Sequence, residues 1–328
     1  MDEFDFIQSL LAPLAGPEGL SLKDDAALFT PDNNCDLIIT KDAMVEGVHF
    51  PHGEYGGHIA EKLLRVNLSD LAAKGARPRG YLLSLAIPKA VTQDDLKGFM
   101  VGLGEVQEAY GFTLWGGDTV STSGHFVVSA TFIGQVPKGQ MVKRSGAIDG
   151  DDIWVTGTIG DAYLGLQNVL GHALRPRPTS EQIYHWEEAY LRPEPRLLLR
   201  KLFRKYATAA LDVSDGFLAD AEHLASASDV SLNLELETIP FSHTTNTWLK
   251  AQVNKHKAYE ALLSGGDDYE IFFTAKTENR LDIEAHSKQL GVPITRIGRV
   301  TGRAKSVTVF NRSGEPVVFE KKGYRHSI

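Results

Sequence analysis

The hydrophobic positions of the chain follow two periods, one typical of helices and one typical of strands. Between Gly57 and Lys74, apolar side chains recur three and four positions apart, which predicts an amphipathic helix with one buried face. Thr92 as an N-cap, acids in the first turn and Gly111 at the end predict a second helix. Further helices are expected near residues 2–12, 160–171, 180–191, 195–206, 217–228 and 278–290. Strands are expected near 37–40, 80–88, 125–136, 153–156, 207–213, 231–237, 270–275, 294–300 and 306–310.

The order of these elements predicts an α/β fold with mixed, α+β-type sheets rather than a strict alternation of strand and helix. A chain of 328 residues is long enough for two domains. The hydrophobic pattern is interrupted where a new strand and a new helix begin, at Gly146, Gly150, Gly157 and Gly160. We therefore expect two domains, 1–145 and 146–328.

Composition and charge narrow the possible functions. The net charge of -8 argues against a nucleic acid as the main partner, because phosphate backbones require clustered Lys and Arg. The single cysteine, Cys35, cannot form an internal disulfide and excludes a thiolate metal centre. The first residues lack the basic and apolar regions of a signal peptide, and no apolar run approaches the ~20 residues of a membrane span. These features predict a cytoplasmic protein that does not bind membranes.

Acidic residues recur beside small residues in six fragments, which are KDDAAL (23–28), TKDAM (40–44), NLSDLAAKG (67–75), WGGDTV (115–120), LDVSDGF (211–217) and SGGDDYE (264–270). Each fragment alone is weak evidence, because Gly-Gly-Asp is usually a turn and adjacent aspartates are usually solvated. Several follow apolar strands, and strand ends are where α/β sheets place ligands. Mg²⁺ prefers carboxylate oxygens and bridges them to phosphates, while neighbouring glycines allow backbone N–H groups to approach phosphate oxygens. Together the fragments predict a magnesium–phosphate site.

Asn67 and Asp70 pose a question within the first predicted helix. Asn67 lies inside the apolar face and Asp70 lies at its edge, and a buried carboxylate without a partner is costly. Either Asn67 is a satisfied core residue and Asp70 is solvated, or both face a polar site. The signatures of P-loop proteins, protein kinases and serine hydrolases are absent from the sequence, which leaves the acidic fragments as the main chemical signal.

The order of the fragments, together with VNLSDLAAKGA, KRSGAIDGDDIWVTGTIGDA and KGY, resembles the thiamine-monophosphate kinases. These belong to the superfamily of phosphoribosyl-aminoimidazole synthetase-like ATP-dependent enzymes. The resemblance extends from about residue 20 to Arg325. It implies the conversion of thiamine monophosphate and ATP to thiamine diphosphate and ADP, the last step of thiamine diphosphate biosynthesis. It also implies an aminoimidazole-ribonucleotide-synthetase-like fold, in which the N-terminal domain binds ATP and several Mg²⁺ ions and pairs across a homodimer to form a β-barrel.

The resemblance also implies roles for individual residues. The metal ligands would be Asp25, Thr40, Asp42, Asp70, Asp118, Asp212 and Asp215. The residues that contact ATP would be Tyr110, Gly117, Asp118, Arg144 and Ser214. The residues that line the thiamine phosphate site would be His49, Asp267 and Tyr324. The chain departs from the common pattern at SLK (21–23), at Lys41 and at Asp267, where the family has Gly-x-Gly, Thr or Val, and Glu respectively.

The chemistry implied by the resemblance needs no side-chain nucleophile or general base. The phosphate of thiamine monophosphate, with a second pKa near ~6, is already largely a dianion at neutral pH. We expect direct in-line transfer, with metal ions and Arg144 screening the repulsion between the two anions. Asp70 would then face the metals, with Asn67 orienting it. Trp115, Phe217 and Tyr324 are candidates for stacking on the thiamine rings, although aromatic residues in such positions are more often core.

Three kinds of alternative remain open. Selenophosphate synthetase shares the Asp-Asp-Ala-Ala and Gly-Gly-Asp motifs but should carry a reactive cysteine near the N-terminus, and the hydrogenase-maturation member should end in a cysteine. A regulatory module would bind Mg-ATP without turnover. A structural protein with acidic loops would bind no nucleotide at all.

Overall fold

The computed structural model describes the chain from residue 3 to residue 324, and within this range the chain divides into two compact units. The first unit ends at Met141 and the second begins at Val142, while Ala72–Gly75 cluster with the second unit. This division lies four residues before the predicted junction. The described part of the chain contains no helix that is long and apolar enough to cross a membrane.

The first unit is a four-stranded sheet with two long helices. Its helices are α1 (Glu3–Phe6), α2 (Gly57–Ala73) and α3 (Gln93–Tyr110), and its strands are β1 (Cys35–Val45), β2 (Arg77–Pro88), β3 (Thr113–Thr122) and β4 (Val127–Pro137). The strand order is β1-β4-β2-β3, in which β4 is antiparallel to both neighbours and β2 and β3 are parallel. The sheet is open within one chain, so the expected barrel is not formed by this chain alone.

The helices of the first unit follow the predicted pattern. The apolar face of α2 is buried, with Leu63, Leu64, Leu68 and Leu71 fully shielded from solvent. Thr92 and Asp95 form a capping box at the start of α3, where each side chain accepts a hydrogen bond from the other residue's backbone N–H. Gly111 ends α3 in a left-handed conformation.

The second unit is built on a seven-stranded mixed sheet. Its helices are α4 (Asp161–Val169), α5 (Ser180–Leu191), α6 (Arg200–Tyr206), α7 (Phe217–Ser228), α8 (His243–Lys250), α9 (Lys255–Ser264) and α10 (Arg280–Leu290). Its strands are β5 (Asp152–Thr156), β6 (Ala207–Asp212), β7 (Ser231–Glu235), β8 (Ile271–Ala275), β9 (Ile294–Thr301), β10 (Val307–Phe310) and β11 (Pro316–Val317). The strand order is β11-β10-β7-β9-β5-β8-β6, with β7 and β10 parallel and the other pairs antiparallel.

The mixed α/β prediction is confirmed, but several elements differ from the predicted ones. Strand β1 continues to Val45 instead of ending at Thr40, and WGGDTV lies inside strand β3 instead of forming a turn. Helices α8 and α9 were not predicted from the sequence. The predicted N-terminal helix is a short α1 followed by one π-helical turn, Ile7–Leu11, and one 3₁₀ turn, Ala12–Leu14.

Candidate functional site

Thr40, Asp42 and Asp70 form a polar cluster where β1 faces α2. Side chains alternate along a strand, so Thr40 and Asp42 share one face with the buried Ile38 and Met44. The Thr40 hydroxyl donates a hydrogen bond to the Asp70 carboxylate. Asp70 therefore lies against β1, and its role as a metal ligand stays a prediction.

The cluster raises the pKa of Asp42 from 3.8 to about 7. Burial is the main cause and the negative charge of Asp70 adds to it, while the charge of Lys41 acts in the opposite direction. A divalent cation bound beside Asp42 would offset this penalty on its charge.

Asn67 does not orient Asp70. Its side chain is fully buried, and its Nδ2 donates a hydrogen bond to the carbonyl of Leu63, one turn earlier in α2. Asn67 is therefore a core residue, but it is not a fully satisfied one, because its buried Oδ1 has no hydrogen-bond partner among the described residues. Asp70 is bonded to Thr40, so the interpretation of Asp70 as a solvated residue is wrong.

Asp25 and Asp118 lie together in a different part of the first unit. Both line a cavity of about 720 Å³, together with Asp24 and the backbone of Gly117. Apolar side chains that include Leu82 form the rest of the wall. Acidic groups beside an apolar wall suit a ligand that carries both a cation-bound phosphate and a ring.

The pleat of the sheet separates this cavity from the Thr40–Asp42–Asp70 cluster. In the pairing register that runs from β3 through β2 and β4 to β1, Asp118 lies in the same cross-strand row as Ala43. Ala43 is the residue next to Asp42 in β1. Neighbouring positions on a strand point to opposite faces, so Asp118 and Asp42 lie on opposite faces of the sheet. The acids that the sequence analysis grouped in one N-terminal set therefore form two groups within this unit.

His49 and Tyr110 lie beside elements that hold them in defined orientations. The Nδ1 atom of His49 accepts a hydrogen bond from the Val45 N–H at 3.1 Å, so the proton of the neutral ring is on Nε2. Tyr110 is the last residue of α3, and its hydroxyl accepts a hydrogen bond from Arg65 at 3.1 Å. Each residue is half-buried.

The second unit brings several predicted residues together around the loop between β6 and α7. Asp212 ends β6 and is buried, while Ser214 and Asp215 follow it in the loop. The N–H of Asp267 donates to the carbonyl of Ser214 at 2.9 Å. The N–H of Tyr324 donates to the carbonyl of Asp215 at 2.8 Å. Residues that are more than 100 positions apart in the sequence thus meet at one loop.

Asp220 holds this loop and was missed by the sequence analysis. Its Oδ2 atom accepts hydrogen bonds from the N–H groups of both Ser214 and Asp215, each at 3.0 Å. Burial and the charge of Asp215 raise the pKa of Asp220 to about 7, although these hydrogen bonds and the charge of Arg144 act against the increase. Arg144 therefore lies near enough to interact with this acidic group. The sequence feature that could have identified Asp220 is its position as an acid in the first turn of a helix that follows an Asp-rich loop.

The two aspartates of SGGDDYE have different environments. The carboxylate of Asp268 accepts a hydrogen bond from the N–H of Gly160 at the start of α4, and burial raises its pKa. Asp267 is the member of the pair that is bonded to the β6–α7 loop, with a left-handed φ of 70°. Asp268 thus has a structural role, and Asp267 remains the candidate substrate contact.

Two of the three aromatic candidates are core residues. Trp115 is buried and packs on Phe29 with ring centroids 4.5 Å apart, and Phe217 is fully buried against Phe272. Phe217 has no ring surface available for stacking, whereas Trp115 also lines the cavity that holds Asp25 and Asp118. Tyr324 is 55% exposed.

Two protein-family models match the chain. The model of the N-terminal domain of AIR synthase related proteins matches residues 23–136, and that of the C-terminal domain matches residues 149–311. The thiamine-monophosphate kinase of Caulobacter vibrioides is 41% identical over 99% of this chain and 90% of its own length. The chain belongs to the thiamine-monophosphate kinase family.

Solved structures agree with this assignment. The thiamine-monophosphate kinase of Stenotrophomonas maltophilia is 39% identical, with a TM-score of 0.79 over 90% of each chain. The structure of AaThiL complexed with AMPPCP and TMP is 30% identical, with a TM-score of 0.77 over 93% of this chain and 91% of that one. The predicted resemblance to the thiamine-monophosphate kinase family is confirmed, and so is its two-domain mixed α/β fold.

Proposed function

We propose that this protein transfers the terminal phosphate of ATP to thiamine monophosphate, which gives thiamine diphosphate and ADP. The observation that carries the proposal is the loop between β6 and α7, where Ser214 and Asp215 are bonded to Asp267 and Tyr324. The residues to which the family resemblance assigns nucleotide, metal and thiamine phosphate binding lie next to one another at this loop. That the related AaThiL is complexed with AMPPCP and TMP supports the same pair of ligands.

The residues fit Mg²⁺ as the cation. Asp42 and Asp70 offer carboxylate oxygens, Thr40 adds a hydroxyl, and the pKa of Asp42 is raised by burial and by the charge of Asp70, a penalty that a bound cation would offset. Asp25 and Asp118 offer a second set of carboxylates in the cavity on the opposite face, and Asp212 and Asp215 offer a third in the other unit. Bound Mg²⁺ would neutralise charge on the transferring phosphate and hold the reacting groups in line.

The side chains then bind and orient the phosphate groups. His49, whose Nδ1 accepts the hydrogen bond from the Val45 N–H, is the proposed phosphate contact of the first unit. The Arg144 guanidinium adds positive charge beside the Ser214–Asp215 loop. The phosphate of thiamine monophosphate is itself the nucleophile, so no side chain is assigned as a nucleophile or general base. We propose direct transfer without a phosphoenzyme.

We also propose that the protein is a homodimer that pairs through the open face of the first sheet. The apolar side chains on β1, β2 and β3 that this chain leaves uncovered are 40% to 66% exposed, and they are Leu37, Ile39, Leu82 and Val120. A face of this kind is typical of a surface that another protein covers. A second copy placed there would supply the strands that a barrel requires.

The proposal is tested by measuring thiamine diphosphate formation from purified protein, ATP, Mg²⁺ and thiamine monophosphate. Free thiamine and a metal-free reaction serve as controls. Product is expected only from the monophosphate and only with the metal. Formation of product from free thiamine would reject the proposal, whereas ATP binding without product would point to a different acceptor.

Variants test the metal ligands. Asp42→Asn and Asp70→Asn should each lower kcat by at least about 100-fold, the scale of a lost electrostatic contact in a transition state. Asp94→Asn, which changes an exposed acid in the first turn of α3, should leave kcat unchanged. Near wild-type rates in both cluster variants at saturating Mg²⁺ would reject the assignment.

A further inference from the structure

Glu46, His52 and His125 converge in the first unit at a place that the proposed function does not use. Glu46 follows β1 directly, His52 lies in the loop after it, and His125 lies two residues before the start of β4. The candidate ligand atoms of the three side chains all lie within 4.8 Å of one another. Glu46 is four positions beyond Asp42, or about 13 Å along an extended strand, so this group is separate from the Thr40–Asp42–Asp70 cluster.

Glu46 is the fixed member of the group. Its side chain is buried, and it accepts hydrogen bonds from the N–H groups of Gly53 and Phe126 and from the hydroxyl of Tyr55. Burial alone would raise the pKa of Glu46, but these hydrogen bonds and one from His52 lower it. Glu46 is therefore an oriented carboxylate that carries a full negative charge at neutral pH.

The two imidazoles lie beside this carboxylate and beside each other. The Nδ1 atom of His52 is 3.5 Å from Oε1 of Glu46, and the ring centroids of His52 and His125 are 5.2 Å apart. A Cβ atom at residue 47 would lie 2.4 Å from the His52 ring, so only glycine at this position leaves the ring where it is. A His52–Glu46 ion pair explains one of the imidazoles, but it does not explain the second.

We propose that Glu46, His52 and His125 form a binding site for a divalent transition-metal ion, with Zn²⁺ as the best match. Two imidazole nitrogens and one carboxylate oxygen are a common protein donor set for zinc, and they leave a fourth position for water. The same donors disfavour Mg²⁺, which prefers oxygen ligands. Ligands of a tetrahedral zinc ion lie about 3.3 Å apart, so the exposed rings need to move inward by only roughly 1.5 Å.

The bound ion would restrict the motion of the loop that carries His49. His49 lies between Glu46 and His52, and an ion bound to all three ligands joins both ends of this segment to the start of β4. The site therefore stabilises the first unit and holds the His49 loop, without taking part in phosphate transfer.

The test is a zinc titration of full-length protein that has been stripped with a chelator and kept in excess Mg²⁺. Mg²⁺ occupies the carboxylate sites and leaves a histidine site for Zn²⁺. Bound zinc is measured by competition with a chromogenic chelator, and the thermal midpoint is measured with and without zinc. Wild-type protein should bind one Zn²⁺ in competition with the chelator and gain thermal stability.

The variants His52→Ala and His125→Ala should each weaken zinc binding by about tenfold or more and lose the thermal gain. His172→Ala is the matched control, because His172 is also exposed but bonds only to nearby Gln167. With Co²⁺ in place of Zn²⁺, wild-type protein should show the intense visible absorption of a tetrahedral site, and both variants should lose it. Equal zinc affinity in the wild type, His52→Ala and His125→Ala would overturn the proposal. Because the readout is binding, this outcome is independent of whether the kinase proposal holds.

Discussion

At the scale of single residues, the folded protein places Asp42 where its negative charge is unfavourable unless a cation binds beside it. A carboxyl group with a pKa of about 7 in the folded protein and about 3.8 in the unfolded chain holds its proton more tightly when folded. Its contribution to stability is fully present below pH 3.8 and is lost as the pH rises through 7. Without metal, the ionised Asp42 therefore destabilises the folded protein at neutral and alkaline pH.

Asp42→Asn should consequently be more stable than the wild type at pH 8 when both proteins are in EDTA. The difference should widen between about pH 4 and pH 7 and reach a few kcal/mol at most, because one pKa unit corresponds to about 1.4 kcal/mol. Urea unfolding at a series of pH values measures it. Mg²⁺ should then stabilise the wild type more than the variant. A constant difference at all pH values would contradict this view, and Asp94→Asn is the control.

Asp220 supports the β6–α7 loop through two backbone hydrogen bonds, which makes it a positioning residue. Asp220→Ala should leave two N–H groups without their partner, at a cost of about 1–3 kcal/mol of unfolding free energy. It should also raise KM for ATP, because Ser214 and Asp215 lose their fixed orientation. Urea unfolding and steady-state kinetics measure the two effects.

Asp220→Asn keeps an acceptor oxygen and should recover part of both losses. Asp149→Ala, which removes an exposed acid in the same unit, should cause neither. If Asp220→Ala changes stability but leaves KM for ATP at its wild-type value, Asp220 is structural only.

At the scale of secondary-structure elements, the close approach of β3 to β2 explains why the segment WGGDTV needs a glycine at residue 117. A Cβ atom on Gly117 would lie 1.8 Å from the carbonyl oxygen of Leu83, so an alanine at this position forces the strands apart. Gly117→Ala should therefore lower both the thermal midpoint and the rate of thiamine diphosphate formation, since Asp118 follows directly.

Gly116→Ala is the matched control, because its Cβ atom would make an ordinary contact of 3.6 Å with Leu82. We expect this variant to keep most of its stability and activity. Equal effects from both substitutions would mean that the strand contact is not the cause.

The local parts of the fold were predictable because their signals are local. The apolar face of α2 and the Thr92 and Gly111 ends of α3 follow from short patterns in the sequence. Strand β3 was missed because Gly116 and Gly117 have the composition of a turn, and its pairing with β2 decides otherwise. The end of β1 was misplaced because the polar Thr40, Lys41 and Asp42 interrupt an apolar run.

The candidate site was predictable as a set of residues and much less so as an arrangement. Family motifs gave the acids, but the bonds from Asp267 and Tyr324 to the β6–α7 loop join segments about 50 and 110 positions apart. No local pattern encodes such contacts. Asp220 and Glu46 escaped notice for a related reason, since each acts on backbone N–H groups that only the folded chain brings near.

At the scale of the whole molecule, the open face of the first sheet determines the expected assembly. Ile39 is 66% exposed in the middle of β1, where an isolated chain gains nothing from an apolar side chain. Ile39→Lys should convert a dimer to a monomer, because a dimer interface would bury the added charge. Light scattering after size-exclusion chromatography measures the mass directly.

Val253→Lys is the control, because Val253 is fully exposed in the second unit and lies outside the proposed interface. A monomeric wild-type protein, or an Ile39→Lys variant that remains a dimer, would reject the proposed interface.

Strand β1 also limits how this protein can evolve. Its even positions carry Thr40 and Asp42 toward α2, and its odd positions carry Leu37 and Ile39 toward the open face. One inserted or deleted residue would exchange the two series, and would place carboxylates on the apolar face and isoleucine among the acids. Point substitutions can alter either series independently, but a change of length alters both at once. The length of β1 should therefore vary less among functional descendants of this chain than its sequence does.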